Sequence, residues 1–125
     1  MASEDQARAA IEQLYGDALE IYERARTEVT IERNDGTRQK YAATRYKPEI
    51  DRGSANDALV PTIAKIIRRP TRGFHYLEEA ERPDLMLETL VLDSSKPYHR
   101  LFTAPTIEIA RARMAAYEAR HPRRN

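Results

Sequence analysis

The sequence predicts a mostly helical α+β domain: a long N-terminal amphipathic helix, one β-hairpin, and then three or four helices around a single core. Apolar residues recur at helical spacing near the N-terminus, alternate on both sides of an Asn-Asp-Gly turn, and fill several proline-bounded runs after it. A chain of 125 residues can enclose one hydrophobic core. We therefore predict a single globular domain over residues 1–120 and a basic, frayed tail over residues 121–125.

The first helix is predicted over residues 4–27. Ser3 and Gln6 have the spacing of a capping box, and apolar residues follow at steps of three and four. The resulting stripe consists of Ala7, Ile11, Leu14, Ala18, Ile21 and Ala25. Gly16 weakens a helix by about 1 kcal/mol relative to alanine, but it also lets another helix approach closely. The stripe suits packing on a helix of the same chain or of a second copy, and we expect a homo-oligomer.

The hairpin is predicted around the Asn-Asp-Gly sequence at residues 34–36. With the glycine of this turn in the left-handed conformation, Val29 faces Tyr41 and Glu32 faces Arg38. This register pairs an apolar residue with an apolar one and opposite charges with each other. A lone hairpin is marginally stable in water, so we expect it to pack on a helix or to join the sheet of a second subunit.

The segment after the hairpin predicts a loop followed by a helix. Residues 48–56 have the composition of a loop. Ser54 or Asp57 can cap the next helix, which must begin near residue 57 so that Pro61 falls in its first turn. Pro70 ends this helix, because proline cannot continue it.

Three further helices are predicted. Residues 72–80 form a short helix, and residues 83–93 form another that is apolar on nearly all sides. We expect this second helix to lie at the centre of the core, although its last residues, TLVLD, also suit a strand. Pro105 opens the last helix, because proline is tolerated at a first helical position. Its inward side chains are predicted to be Ile107, Ala110, Met114 and Tyr117.

The net charge of +1 conceals an alternation in sign along the chain. Successive blocks carry net charges of −4, +5, −4 and +4, for residues 1–30, 31–75, 76–98 and 99–125. Acidic and basic elements that pair within the fold or across a dimer are the simplest explanation, because mixed-sign surfaces are ordinary. A positive stripe on one face is the alternative.

Several kinds of site are excluded or disfavoured. The chain has no cysteine, which excludes disulfides, thiolate zinc sites and cysteine nucleophiles. Neither the dinucleotide-binding nor the P-loop glycine pattern occurs. His75 and Glu79 have a spacing that can place two ligands on one metal, but a histidine beside acids is more often a surface residue. We therefore expect no metal site and no cofactor.

The sequence also favours a cytoplasmic location. No segment is apolar enough to serve as a signal peptide or to span a bilayer. A chain without cysteine fits a reducing compartment. We expect no contact with a membrane.

A basic surface within residues 38–72 is the strongest candidate for a binding function. Its basic side chains alternate with aromatic ones, so they could contact phosphates while tyrosines stack on bases. The candidate contacts are Arg38, Lys40, Arg45, Lys47, Lys65, Arg68, Arg69, Arg72, Tyr41 and Tyr76. An isoelectric point of about 8.0 is low for a nucleic-acid-binding domain. We expect a binding or regulatory accessory module whose partner is nucleic acid or an acidic protein.

A small cofactor-independent acid–base enzyme is the alternative function. Such an enzyme needs a positioned histidine or carboxylate and a cationic group that stabilises developing charge. The candidate residues are His75, His99, Arg72, Tyr98 and Glu88. They would have to share one pocket, whereas two unrelated loops at the rim of the core explain the same residues more simply. Catalysis is therefore less well supported than binding.

Overall fold

The computed structural model describes residues 4–33, 35–41, 46–69 and 72–122, apart from the side chains of Arg72 and Gly73. In chain order the regular elements are α1 (Glu4–Glu28), β1 (Thr30–Glu32), β2 (Arg38–Lys40), α2 (Tyr46–Ala55), α3 (Leu59–Arg68), α4 (Arg72–Glu79), α5 (Leu87–Leu92) and α6 (Ala104–Arg120). Two 3-10 helices at Pro83–Leu85 and His99–Leu101 precede α5 and α6. The predicted mostly helical α+β class is confirmed.

Helix α1 is confirmed almost to the residue. Leu14 and Ala18 on its apolar stripe are completely buried against α2 and α3, and Ala25 is buried near its end. Because this stripe packs on helices of the same chain, self-association through α1 stays a prediction. None of the described helices is long and apolar enough to cross a membrane.

The hairpin has the predicted register. Glu32 lies opposite Arg38, and the Tyr41 N–H donates to the Val29 carbonyl at 2.9 Å. Gly36 has a φ of +84°, the left-handed conformation that the turn requires. Val29 and Tyr41 are buried together with residues of α1 and α4, so the hairpin is stabilised by packing on helices.

The loop predicted for residues 48–56 is wrong, because most of this segment forms α2. Pro48 falls in the first turn of the helix, where a backbone amide has no intrahelical partner to lose. Ile50 is completely buried, and Gly53 lies directly against Thr62 of α3. The packing of α2 between α1 and α3 therefore outweighs a local composition that is typical of loops.

The predicted cap of α3 is also wrong. The N-cap residue is Ala58, and no side chain caps the helix. Asp57 instead has a φ of +59°, so its left-handed backbone makes the tight turn between α2 and α3. Pro61 falls in the first turn of α3, as predicted.

The core has two adjoining clusters of buried side chains. The larger cluster lies among α1, α2, α3, α5 and α6, and the smaller one lies beneath the hairpin and α4. Ile21 packs against both clusters and joins them. The helix predicted over residues 83–93 is divided, because the backbone of Met86 is extended between the 3-10 helix at Pro83–Leu85 and α5. Residues 89–92 are helical rather than a strand, and Val91 is completely buried. Helix α6 closes the core, with Ile107, Ala110 and Tyr117 buried as predicted and Met114 half-buried.

Candidate nucleic-acid interface

The C-terminal end of α3 carries three exposed basic side chains. Lys65, Arg68 and Arg69 have no ion pair with any described residue. Their positive charge complements the negative end of the helix dipole. Each side chain stabilises α3 by less than about 1 kcal/mol in this way. This interaction leaves the side chains in solvent, so their charge remains available to an anionic partner.

Strand β2 adds two further basic side chains. Arg38 and Lys40 are two residues apart, so they project to the same side of the strand, and both are exposed. Arg38 lies opposite Glu32 in the ladder, yet neither Arg38 nor Lys40 has an ion pair within the described part of the chain. We call Arg38, Lys40, Lys65, Arg68 and Arg69 the basic surface.

A short stretch of chain links the two parts of the basic surface. The three steps from Arg69 to Arg72 span at most about 11 Å. The four helical steps from Arg72 to Tyr76 add about 6 Å. The Tyr76 ring lies 5.8 Å, centroid to centroid, from the ring of Tyr41, which directly follows Lys40. That the two groups of charges share one face of the molecule is a prediction.

Lys47 lies outside this surface, because α2 uses its charge internally. Its Nζ is 2.6 Å from Asp51 one helical turn away, and this contact raises the pKa of Lys47. The hydrogen bond from Lys47 lowers the pKa of Asp51, as does a second hydrogen bond from the Tyr15 hydroxyl at 2.6 Å. That Lys47 contacts a partner stays a prediction.

Tyr41 presents little surface to a partner. Its side chain is 7% exposed, and burial raises its pKa. Tyr76 is half-buried against it in an edge-to-face contact. The hairpin tyrosine is therefore a core residue and offers little ring surface on which a base could stack. Arg45 and the side chain of Arg72, two further predicted contacts, lie outside the described residues.

Several acidic residues outside the central basic block are paired with basic ones from distant parts of the chain. These ion pairs include Glu28–Arg82, Asp84–Arg24, Glu88–Arg113, Glu78–Arg120 and Asp17–Lys96. Two of them join the acidic block at residues 76–98 to the basic block at residues 99–125, as intrachain charge pairing predicts. No ion pair of this kind neutralises the basic surface within the described residues.

The two histidines of the alternative enzymatic site lie apart. His99 lines a cleft at the start of α6, whereas His75 lines another between α4 and the end of α6. Tyr98 is completely buried and donates a hydrogen bond to Asp17; its pKa is raised by burial and by that contact. Glu88 is also buried and accepts a hydrogen bond from Arg113. The shared pocket that catalysis requires is therefore not formed by His75 and His99.

Sequence reasoning missed several residues that organise this end of the molecule. Arg113 and Arg120 on α6 reach back to Glu88 and Glu78, and His121 stacks on Tyr117 with a ring separation of 4.6 Å. His121, assigned by the sequence to the tail, is thus in contact with the domain. The complementary charges of the last two blocks were the only sequence signal for these pairs. No group of three or more candidate ligands that could hold a metal ion occurs among the described residues.

The chain has no detectable relatives in three comparisons. No family model matches it, and neither a curated protein nor a solved structure matches significantly. The physical properties of its surface therefore carry the functional proposal.

Proposed function

We propose that this protein is a nucleic-acid-binding module that contacts phosphate groups through the basic surface. The observation that carries the proposal is a contrast between two groups of cations. Arg24, Arg82, Arg113 and Arg120 form ion pairs with acidic residues, whereas the five residues of the basic surface are exposed and unpaired within the described chain. Unpaired cations gain most from phosphate contacts, because binding releases counterions condensed on the nucleic acid.

Nucleic acid suits this surface better than an acidic protein does. Stable protein–protein interfaces usually have buried aromatic or aliphatic anchors at their centre. The aromatic residue next to Lys40, Tyr41, is already buried in the core. The same burial removes a stacking platform for single-stranded bases, so we expect contacts to the phosphates of a duplex with little sequence preference.

The salt dependence of binding tests this proposal. We expect the wild-type protein to bind a short labelled duplex in a fluorescence-anisotropy titration at about 50 mM salt, and to bind much more weakly at about 200 mM. The Arg68→Ala/Arg69→Ala variant removes two phosphate contacts. It should therefore make the slope of log affinity against log salt shallower by about two units.

A matched variant with two other exposed arginines replaced, Arg8→Ala/Arg26→Ala, controls for net charge. Its slope should stay closer to that of the wild type than the slope of Arg68→Ala/Arg69→Ala. Equal effects of the two variants would mean that no defined surface is used. Binding of poly-glutamate without binding of the duplex would assign an acidic protein as the partner instead.

Self-association and a cytoplasmic location complete the proposal. Gly16 lies on the exposed side of α1, and nothing lies within 4 Å of the position that its Cβ would occupy. A helix of a second copy could therefore approach α1 closely there. Light scattering should give twice the monomer mass at micromolar concentration, and a monomer mass would contradict this part. The lack of cysteine supports a reducing compartment.

A further inference from the structure

The cleft beside the start of α6 combines positive charge with an apolar floor. It has a volume of about 510 Å³, within the usual range for small-molecule sites. Its polar lining includes four basic side chains and one acidic side chain: Lys96, His99, Arg100, Arg111 and Glu108. Its apolar lining includes Phe102 and Ile107. We propose that this α6 cleft binds a small organic anion: a phosphate or carboxylate group on an apolar body.

Arg100 supplies the uncompensated charge in the α6 cleft. Lys96 is 3.2 Å from Asp17, and Arg111 is 3.9 Å from Glu108, so each has an acidic neighbour. Arg100 is exposed and has no ion pair with a described residue. Its planar guanidinium can donate two parallel hydrogen bonds to a phosphate or carboxylate. An anion in the cleft would therefore be held chiefly by Arg100.

The backbone amides of α6 contribute little to this site, because most of those in its first turn are already used or absent. Pro105 has no amide hydrogen. The Thr106 N–H donates to the Thr103 hydroxyl at 3.5 Å, and the Ile107 N–H donates to the Thr103 carbonyl at 3.1 Å. Anion binding must therefore depend on the side chains of the cleft, which makes the site testable by substitution.

The floor of the cleft favours a ligand with an apolar body. Phe102 and Ile107 are 7% and 4% exposed, so they present small apolar surfaces above the core. Burying such surface adds about 25 cal/mol for each Å² removed from water. An inorganic anion would leave this apolar surface exposed to water, whereas an aryl or alkyl group attached to the anion would cover it.

A second cleft of similar size differs from the α6 cleft in the pairing of its cations. It lies between α4 and α6 and has a volume of about 680 Å³. Arg113 and Arg120 line it, but Arg113 is paired with Glu88 and Arg120 with Glu78. Its cations are therefore neutralised, and we expect anions to prefer the α6 cleft. The inference does not depend on nucleic-acid binding, because the basic surface contributes no residue to this cleft.

Phenyl phosphate is a suitable probe, and benzyl alcohol is its uncharged counterpart. In a titration followed by ¹H–¹⁵N NMR, we expect phenyl phosphate to shift the amide signals of residues 99–108 and to saturate below about 10 mM. Benzyl alcohol and inorganic phosphate should each bind at least about fivefold more weakly, because each lacks one half of the recognised chemistry. Benzoate in the same titration distinguishes a carboxylate headgroup from a phosphate one, and preferential binding of either supports the proposal.

The Arg100→Ala variant should weaken phenyl phosphate binding by about tenfold, the loss typical of one charge-assisted contact. Arg68→Ala, which removes an exposed arginine from the basic surface, is the matched control and should bind as the wild type does. Unchanged affinity in Arg100→Ala, equal binding of benzyl alcohol, or no saturation would each overturn the proposal. Because Arg68→Ala should weaken only duplex binding, failure of the two proposals can be told apart.

Discussion

Glu88 and Arg113 form the most buried ion pair among the described residues. Their side chains are 7% and 16% exposed, and the joining atoms are 2.7 Å apart. The Arg113 guanidinium also lies 5.3 Å from the centre of the Phe74 ring, a cation–π geometry. The pair links α5 to α6, so removing one partner leaves a charge buried without compensation.

We expect Arg113→Ala to lower the free energy of unfolding by about 3 kcal/mol, because Glu88 would remain buried without its cation. Urea denaturation followed by circular dichroism measures this change. The control is Arg111→Ala on the same helix, where the side chain is 57% exposed; it should change stability by less than about 0.5 kcal/mol.

A double variant separates the pair from its surroundings. Glu88→Leu/Arg113→Met replaces both charges with apolar side chains, and it should be more stable than Arg113→Ala alone. Equal destabilisation by both variants would show that an unpaired, buried Glu88 is not what destabilises Arg113→Ala.

Tyrosine burial shows the limit of sequence reasoning at single residues. Tyr41 and Tyr98 were candidates for binding or catalysis, yet they are 7% and 0% exposed. A tyrosine has an apolar ring and a polar hydroxyl, so it suits both a core and a binding site. The choice depends on neighbours that are distant in sequence: the Asp17 that accepts the Tyr98 hydrogen bond is 81 residues away.

Helices α2 and α3 meet at a point where only glycine fits. A Cβ added to Gly53 would lie 2.5 Å from Oγ1 of Thr62 and 3.3 Å from the Ala58 carbonyl oxygen. The contact explains how α2 can pack closely on α3. A glycine inside a helix otherwise costs about 1 kcal/mol relative to alanine.

Gly16 and Gly53 should respond in opposite directions to the same substitution. Gly53→Ala should destabilise the protein by about 1–3 kcal/mol, because the added methyl group overpacks the contact with α3. Gly16→Ala lies in open surroundings in the monomer and should stabilise the monomer by up to about 1 kcal/mol through helix propensity. Thermal unfolding of both variants measures the difference. A stable Gly53→Ala variant would show that Thr62 moves aside without cost.

The hairpin and α2 show which elements can be predicted locally. The hairpin register followed from an Asn-Asp-Gly turn, whose geometry is determined by a few adjacent residues. Helix α2 contains proline, glycine and serine and resembles a loop in composition. Its formation depends on the burial of Ile50 against other helices, which no local pattern reveals.

Across the whole molecule, ion pairing makes the free energy of unfolding depend on pH. The pKa values of four carboxyls are lowered chiefly by hydrogen bonds from basic side chains: Glu28 by Arg24, Asp51 by Lys47, Glu78 by Arg120 and Asp84 by Arg82. A carboxyl with a lowered pKa stabilises the fold above its unfolded pKa, and this contribution is lost as pH falls through the folded pKa.

We therefore expect the free energy of unfolding to decrease as pH falls below the ordinary values of 4.5 for glutamate and 3.8 for aspartate. Urea denaturation between about pH 7 and pH 3 measures it. Glu28→Gln/Asp84→Asn removes two of these carboxyls and should make the dependence shallower. Glu118→Gln, at an exposed position without an ion pair among the described residues, is the control and should keep the wild-type dependence.

The sequence by itself determined α1, the hairpin register, the last helix and the alternation of charge, because these depend on residues close together in the chain. Only the tertiary structure decided that α2 forms, that Tyr41 and Tyr98 are buried, and that His75 and His99 line different clefts. It also decided which cations remain unpaired, and thus where the basic surface and the α6 cleft lie. Burial and ion pairing join residues that are far apart in the sequence, such as Asp17 and Lys96. Local sequence patterns therefore do not indicate these contacts.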